Sequence, residues 1–179
     1  SVTLNLKDPA AKAVLWQLID TADVIVENFR PGAAKRLGFG YEDVSARRPE
    51  IIYASISGFG DSGPDATRPG YDLIIQGESA MMNITGTPDT PPSKMGTSIA
   101  DLVSGMTLVQ GILVALYSRR DSGKGQHVKM NIEIQGRASA LNKRHRATTR
   151  LSHTRKAHVL LSTASVPAKD FASEQSQNV

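Results

Sequence analysis

The chain has no cysteine among its 179 residues, which excludes disulfides, thiolate catalysis and cysteine-ligated zinc. Its four histidines, His127, His145, His153 and His158, fall at no HExxH or similar ligand spacing. They are read as solvated or structural side chains, and no metal site is expected. The absence of a GxSxG elbow removes the commonest serine-hydrolase signature. The longest apolar stretch, Leu102 to Tyr117, is interrupted by Ser104, Thr107 and Gln110 and is short for a bilayer span. No basic-then-apolar targeting pattern precedes Val2. These absences lead to the expectation of a soluble protein of the cytoplasm, or of the mitochondrial matrix in a eukaryote, with no membrane partner.

What is present is the balance of an ordinary globular protein, 40% hydrophobic and 21% charged. The formal charge of +4 is unevenly placed. Residues 1–130 hold 13 Lys/Arg against 14 Asp/Glu, whereas residues 131–179 hold 8 against 3. From Ile134 to Lys169 there is no acidic residue at all. The basicity therefore belongs to a tail, residues 135–179, read as disordered or aberrant. Nucleic acid, the usual partner of a basic protein, is not expected for the folded part, because its own balance is near neutral.

Residues 1–134 alternate strand-like and helix-like segments. Val2–Leu6 reads as a strand. Asp8 followed by Pro9 is a helix start, a capping acid before a proline at the first helical position. Helical spacing of Ala13, Leu15, Trp16, Leu18 and Ile19 predicts a helix over 9–20. Residues 22–27 and 51–57 read as buried strands, with short helices over 31–37 and 41–47 between them. Residues 58–70 and 83–96 read as loops, and Tyr71 to Met82 as a helix. From 100 to 120, apolar residues at 102, 106, 109, 113 and 116 form a helical stripe. Gly105 and Gly111 inside that helix cost about 1 kcal/mol each against alanine, which points to close packing against a neighbour. Residues 126–134 read as a strand. Strands separated by helices indicate βαβ units, hence an α/β fold with a parallel sheet.

Three features can carry chemistry. Gly58-Phe59-Gly60-Asp61-Ser62-Gly63 has the GxGxxG spacing of a dinucleotide turn, but Pro64 to Pro69 does not continue as a helix. A glycine-rich surface loop is the favoured reading. Arg30 and Arg36 flank the Pro31-Gly32 turn after a strand, where α/β sheets bind ligands. They read either as phosphate clamps or as solvated surface arginines. Asp101 stands at the head of the most apolar helix, where the helix dipole favours its ionised form. It reads either as a first-turn acid or as a carboxylate nucleophile.

Several blocks in order decide among these. Val24-Ile25-Val26-Glu27-Asn28-Phe29-Arg30-Pro31-Gly32 with Arg36-Leu37-Gly38 resembles the corresponding block of class III CoA-transferases, the CaiB–BaiF family. So do Ile56-Ser57-Gly58-Phe59-Gly60, Arg68-Pro69-Gly70-Tyr71-Asp72 with Gln76, and Ile99-Ala100-Asp101 with Gly105. Gly123-Lys124-Gly125-Gln126 completes a run covering residues 1–130, and the basic tail over 135–179 shows no resemblance to the family. The resemblance implies a Rossmann-like large-domain segment, a partial open parallel sheet with flanking helices. It implies transfer of CoA between an acyl-CoA thioester and a carboxylic acid, with the thioester as substrate and no permanently bound cofactor. Asp101 takes the position of the catalytic aspartate, Arg36 that of an arginine at the nucleotide end of CoA, and Tyr71 that of a tyrosine beside the thioester.

Related 2-methylacyl-CoA racemases carry histidine where Tyr71 stands, and a phenol with a pKa near 10 replaces that base poorly. Transferase is therefore favoured over racemase, and a non-catalytic CoA-binding remnant is the other alternative. The family is a homodimer and continues beyond this stretch on both sides. An incomplete copy, inactive or nearly so by itself, is expected.

Overall fold

The computed structural model describes residues 1–87 and 89–133. The basic tail read over 135–179 lies outside the described residues. Helix α1 (Pro9–Thr21) starts where the sequence placed it: the Asp8 carboxylate accepts the Ala10 N–H at 2.9 Å, and Pro9 occupies the first turn. Strand β1 (Val24–Glu27) follows, then short helices α2 (Ala33–Leu37) and α3 (Tyr41–Arg47), and strand β2 (Ile52–Ser57). Helix α4 (Asp72–Glu78), a 3-10 turn (Met82–Ile84), helix α5 (Ile99–Ser122) and strand β3 (Gln126–Asn131) complete the order. The strands form one parallel sheet in the order β1-β2-β3, with Val24 opposite Ile52 and Ile52 opposite Gln126.

Alternation along β2 divides the core into two layers. On one face Tyr53 meets Ile19, Ala34, Phe39 and Val44 from α1, α2, α3 and their loops. On the other, Ile52 and Ala54 meet Leu108 and Ala115 of α5 and Val128 of β3. The expected α/β architecture of a parallel sheet between helices is what the chain adopts.

Strand β3 stops at Asn131 rather than 134, and α4 stops at Glu78 rather than Met82; two larger expectations fail. Val2–Leu6 forms no strand, and Val2 is exposed. A β segment needs a neighbour to take its backbone hydrogen bonds, and none of the described residues pairs with it as a strand. Leu6 still finds a use, packing against the first core layer.

The second failure concerns the face of α5. Of the stripe read from the sequence only Leu116 packs against the sheet core, whereas Leu102, Met106, Val109 and Leu113 are all more than half exposed. The buried face is Ala100, Ser104, Leu108 and Ala115. Ser104 and Ala115 let the helix approach closely, and Leu108, Ile112 and Leu116 fill the contact with the sheet. Of the two helical glycines, Gly111 does have a close neighbour, since a methyl group there would lie 2.8 Å from Val128 Cγ1. Gly105 has nothing within 4 Å. At 24 residues α5 is long and apolar enough to cross a bilayer by length and composition alone, but one face of it packs on β2 and β3 as a core helix does.

Candidate active site

The strands end together at Glu27, Ser57 and Asn131, so the loops after β1 and β2 and the head of α5 meet at the carboxyl edge of the sheet. That edge is where parallel α/β sheets bind ligands. A cavity of about 420 Å³ opens there, walled by Phe29 and Arg30, Ser57 and Gly58, Arg68 to Asp72, and Asp101. A second cavity of about 190 Å³ continues over the sheet face, sharing Phe29, Arg30, Ile56 and Ser57 and reaching Tyr41, Ser55, His127 and Lys129.

Of the residues singled out from the sequence, Asp101, Tyr71 and Arg30 come together in the wall of the larger cavity. Arg36 does not. It is exposed on α2, lines neither cavity, and its guanidinium lies beside Gly32. The Gly58–Gly63 segment is a loop, and the next helix opens only at Asp72. No helix N-terminus follows the glycines to receive a pyrophosphate, so the dinucleotide geometry is absent from these described residues.

The head of α5 is held from outside the helix. Asp72 Oδ1 accepts the N–H groups of Ala100 at 2.9 Å and Asp101 at 3.2 Å. Its Oδ2 accepts from the side chain of Gln76, which is almost wholly buried. Ser98, the residue in the N-cap position, makes no capping bond of its own. Sequence reasoning gave Asp72 and Gln76 no role. Both stood in the block that carries the family resemblance, but local spacing cannot reveal a cap supplied from 28 residues away.

This cap changes the electrostatics of Asp101. Loss of hydration against the cavity wall, and then the like charge of Asp72, push its carboxyl above the ordinary aspartate value. The helix dipole was expected to act the other way, but Asp72 takes the amides through which it would have acted. Asp101 is thus an exposed carboxylate at the rim of the cavity, raised in proton affinity rather than held ionised by its own helix.

The remaining walls are fixed by ion pairs. Arg68 pairs with Asp65 at 3.1 Å and with Glu78, and its guanidinium lies 4.5 Å over the Phe59 ring. Lys129 Nζ meets Asp61 Oδ2 at 2.6 Å and holds that carboxyl below the usual range. In the smaller cavity the His127 ring stacks on Tyr41 at 4.5 Å and is hydrogen-bonded to Ser55 Oγ at 2.9 Å. The ring is thus held by neighbours within the fold while it lines this cavity. Burial, and then the charge of Lys129, lower its pKa to about 4, so it is neutral near pH 7. Glu27, also on this wall, is raised by burial although it accepts the Phe29 N–H at 2.8 Å.

A parallel sheet with a cavity at its carboxyl edge and an aspartate at a helix head in the cavity wall is the arrangement of an α/β ligand-binding fold. The chain belongs to CoA-transferase family III, whose family model matches residues 1–167. It is 47% identical over 133 residues to the acetyl-CoA:oxalate CoA-transferase of Acetobacter aceti, an alignment covering 74% of this chain and 34% of that protein. It is 40% identical over 175 residues to the formyl-CoA:oxalate CoA-transferase of Streptomyces coelicolor, covering 97% of this chain and 40% of the relative. Among solved structures, a CAIB/BAIF family protein from Brucella suis superposes with a TM-score of 0.78 at 36% identity, over 88% of this chain and 42% of the other. The chain thus spans 34% and 40% of the length of these two curated relatives.

Proposed function

We propose that this chain carries the nucleophile-bearing part of an acyl-CoA:carboxylate CoA-transferase, with Asp101 as the nucleophile. The observation that carries the reading is the placement of Asp101 in the wall of the carboxyl-edge cavity with its carboxyl raised and its helix amides already taken. In the first step the Asp101 carboxylate attacks the thioester carbonyl, and CoA leaves as a thiolate to give an acyl-aspartyl anhydride. The thiolate then attacks the aspartyl carbonyl, expelling the donor acid as carboxylate and leaving an aspartyl-CoA thioester. The acceptor carboxylate attacks that thioester, and the freed thiolate takes the acceptor acyl group and returns Asp101 to its starting state. Each step exchanges one acyl bond for another, so what the protein must supply is orientation and stabilisation of the tetrahedral oxyanions.

Arg30, on the shared wall of both cavities, is placed to meet the carboxylate or phosphate of a substrate. The first amides of α5 cannot serve as oxyanion donors while Asp72 holds them. Names of relatives acting on oxalate, succinate and glutarate favour small dicarboxylic acids as acceptors. Tyr71, exposed at the cavity mouth, offers a phenol near the thioester and no second base, which favours transfer over racemisation. The smaller cavity extends the site for the long CoA chain. By itself the chain turns over poorly, because its match to the acetyl-CoA:oxalate enzyme takes in only 34% of that protein.

The test is covalent trapping. The chain is incubated with acetyl-CoA or succinyl-CoA, reduced with borohydride, digested and mapped by mass spectrometry. Reduction of the Asp101 carboxyl to an alcohol, absent in Asp101→Asn, is the expected result. A folded chain that binds CoA yet shows no modification at Asp101 overturns the assignment.

A further inference from the structure

We propose that Gln76 and Asp72 act as a positioning pair for Asp101, the buried amide fixing a carboxylate that in turn sets the place and the field of the nucleophile. This inference rests on the reading of Asp101 as nucleophile. Gln76 is 1% exposed and its side chain is fully used: Nε2 donates to Asp72 and to the Thr97 carbonyl at 3.3 Å, and Oε1 accepts the Met95 N–H at 2.9 Å. It therefore ties α4 to the loop that enters α5 and leaves Asp72 one orientation. In that orientation Asp72 Oδ1 reaches the Ala100 and Asp101 amides.

An ordinary cap would stop at holding the helix. Here the same carboxylate has a second effect, because it removes two amides from Asp101 and sets a negative charge beside it. The raised proton affinity of Asp101 agrees with this arrangement. The other charged or titratable groups facing that cavity are Arg30 from the loop after β1, and Arg68 and Tyr71 from the loop before α4. Arg68 is already paired with Asp65 and Glu78, which leaves Asp72 as the acid acting on Asp101. A nucleophile kept basic attacks a thioester faster than one whose charge is drawn off by its own helix amides.

The experiment follows the Asp101 side-chain carboxyl by carbon NMR across pH, with the resonance assigned from Asp101→Asn, in the wild-type chain, Asp72→Asn and Gln76→Met. Asp72→Asn keeps an oxygen for the amides and removes the charge, while Gln76→Met keeps the volume and removes the hydrogen bonds. The expected result is a lower titration midpoint for Asp101 in Asp72→Asn, with the rate of borohydride-trapped adduct at pH 7 reduced at least about tenfold. Gln76→Met is expected to give a smaller change in the same direction. An unchanged midpoint and rate in a folded Asp72→Asn chain would reduce Asp72 to a helix cap and overturn the proposal. Should neither variant fold, a wild-type Asp101 resonance that titrates at or below the ordinary aspartate range overturns the proposal. A midpoint shift in a chain that never forms the adduct supports the pair's electrostatic action and overturns the nucleophile reading instead.

Discussion

Gly58 and Gly70 cross backbone to backbone, so closely that a methyl group on Gly58 would lie 2.3 Å from the Gly70 Cα and one on Gly70 would lie 2.1 Å from the Gly58 Cα. The crossing joins the end of β2 to the residue before Tyr71 and forms part of the cavity wall. Neither neighbour can yield, because the atoms met are backbone. Gly58→Ala and Gly70→Ala are each expected to destabilise the chain by about 2–3 kcal/mol and to widen the cavity. Urea unfolding monitored by circular dichroism checks the first, and weakened CoA binding by calorimetry the second. Stability unchanged in both variants would mean that the two loops do not meet.

The glycines of α5 predict opposite outcomes from the same substitution. Gly105 has open space around it, so Gly105→Ala gains helix propensity and stabilises by about 0.5–1 kcal/mol. Gly111 faces Val128, whose Cγ1 would lie 2.8 Å from the new methyl. Gly111→Ala therefore loses that gain to overpacking and destabilises by about 1–2 kcal/mol. Melting temperatures of the two variants, moving in opposite directions, decide the point.

These glycines also show where the sequence stops being informative. Caps and breakers are local, and Asp8-Pro9 and Gly123 did mark the ends of α1 and α5. Strand patterns located β2 because a buried parallel strand carries its own apolar run, while β1 is only partly buried and β3 stops at Asn131, short of the 134 read for it. The face of α5 was misread because this helix is apolar on two sides. Periodicity finds one side, Leu102, Met106, Val109 and Leu113, while the sheet takes the other, with Ser104, Leu108, Ile112 and Ala115. Val2–Leu6 has strand-forming residues, but a strand is a property of two segments. At the site, Asp101 and Tyr71 stood out by resemblance. The Asp72 cap did not, because a contact across 28 or 29 residues has no local signature.

Tyr53 is buried whole against the α1–α3 layer, and its hydroxyl donates to the Phe39 carbonyl at 3.2 Å. Burial pushes its phenol above the usual range, so it stays a donor at every accessible pH. Tyr53→Phe keeps the ring in place and leaves that carbonyl without its partner. The expected cost is about 1–2 kcal/mol, read from the urea midpoint at constant slope. No change in the midpoint would show that water replaces the hydroxyl.

His127 predicts a pH dependence whose sign can be worked out. Its pKa is about 4 in the fold and near 6.5 in the unfolded chain. Between those values the unfolded chain binds the proton and the folded chain does not, so stability rises with pH across the window. Acidification from pH 6.5 towards 4 must therefore cost stability, because a charged imidazole would have to be accommodated beside Tyr41, Tyr53 and Lys129. The full shift corresponds to about 3 kcal/mol, which water at this half-open site reduces to about 1–2 kcal/mol. The raised carboxyls of Asp101 and Glu27 act in the opposite sense, so the histidine must be isolated by difference. Urea melts of the wild type and His127→Gln at pH 7, 5.5 and 4.5 do this: the variant starts less stable at pH 7, having lost the Tyr41 stack, and the gap narrows as the pH falls. A gap that stays constant across the three values would place the His127 titration in the ordinary range and contradict its burial against the sheet.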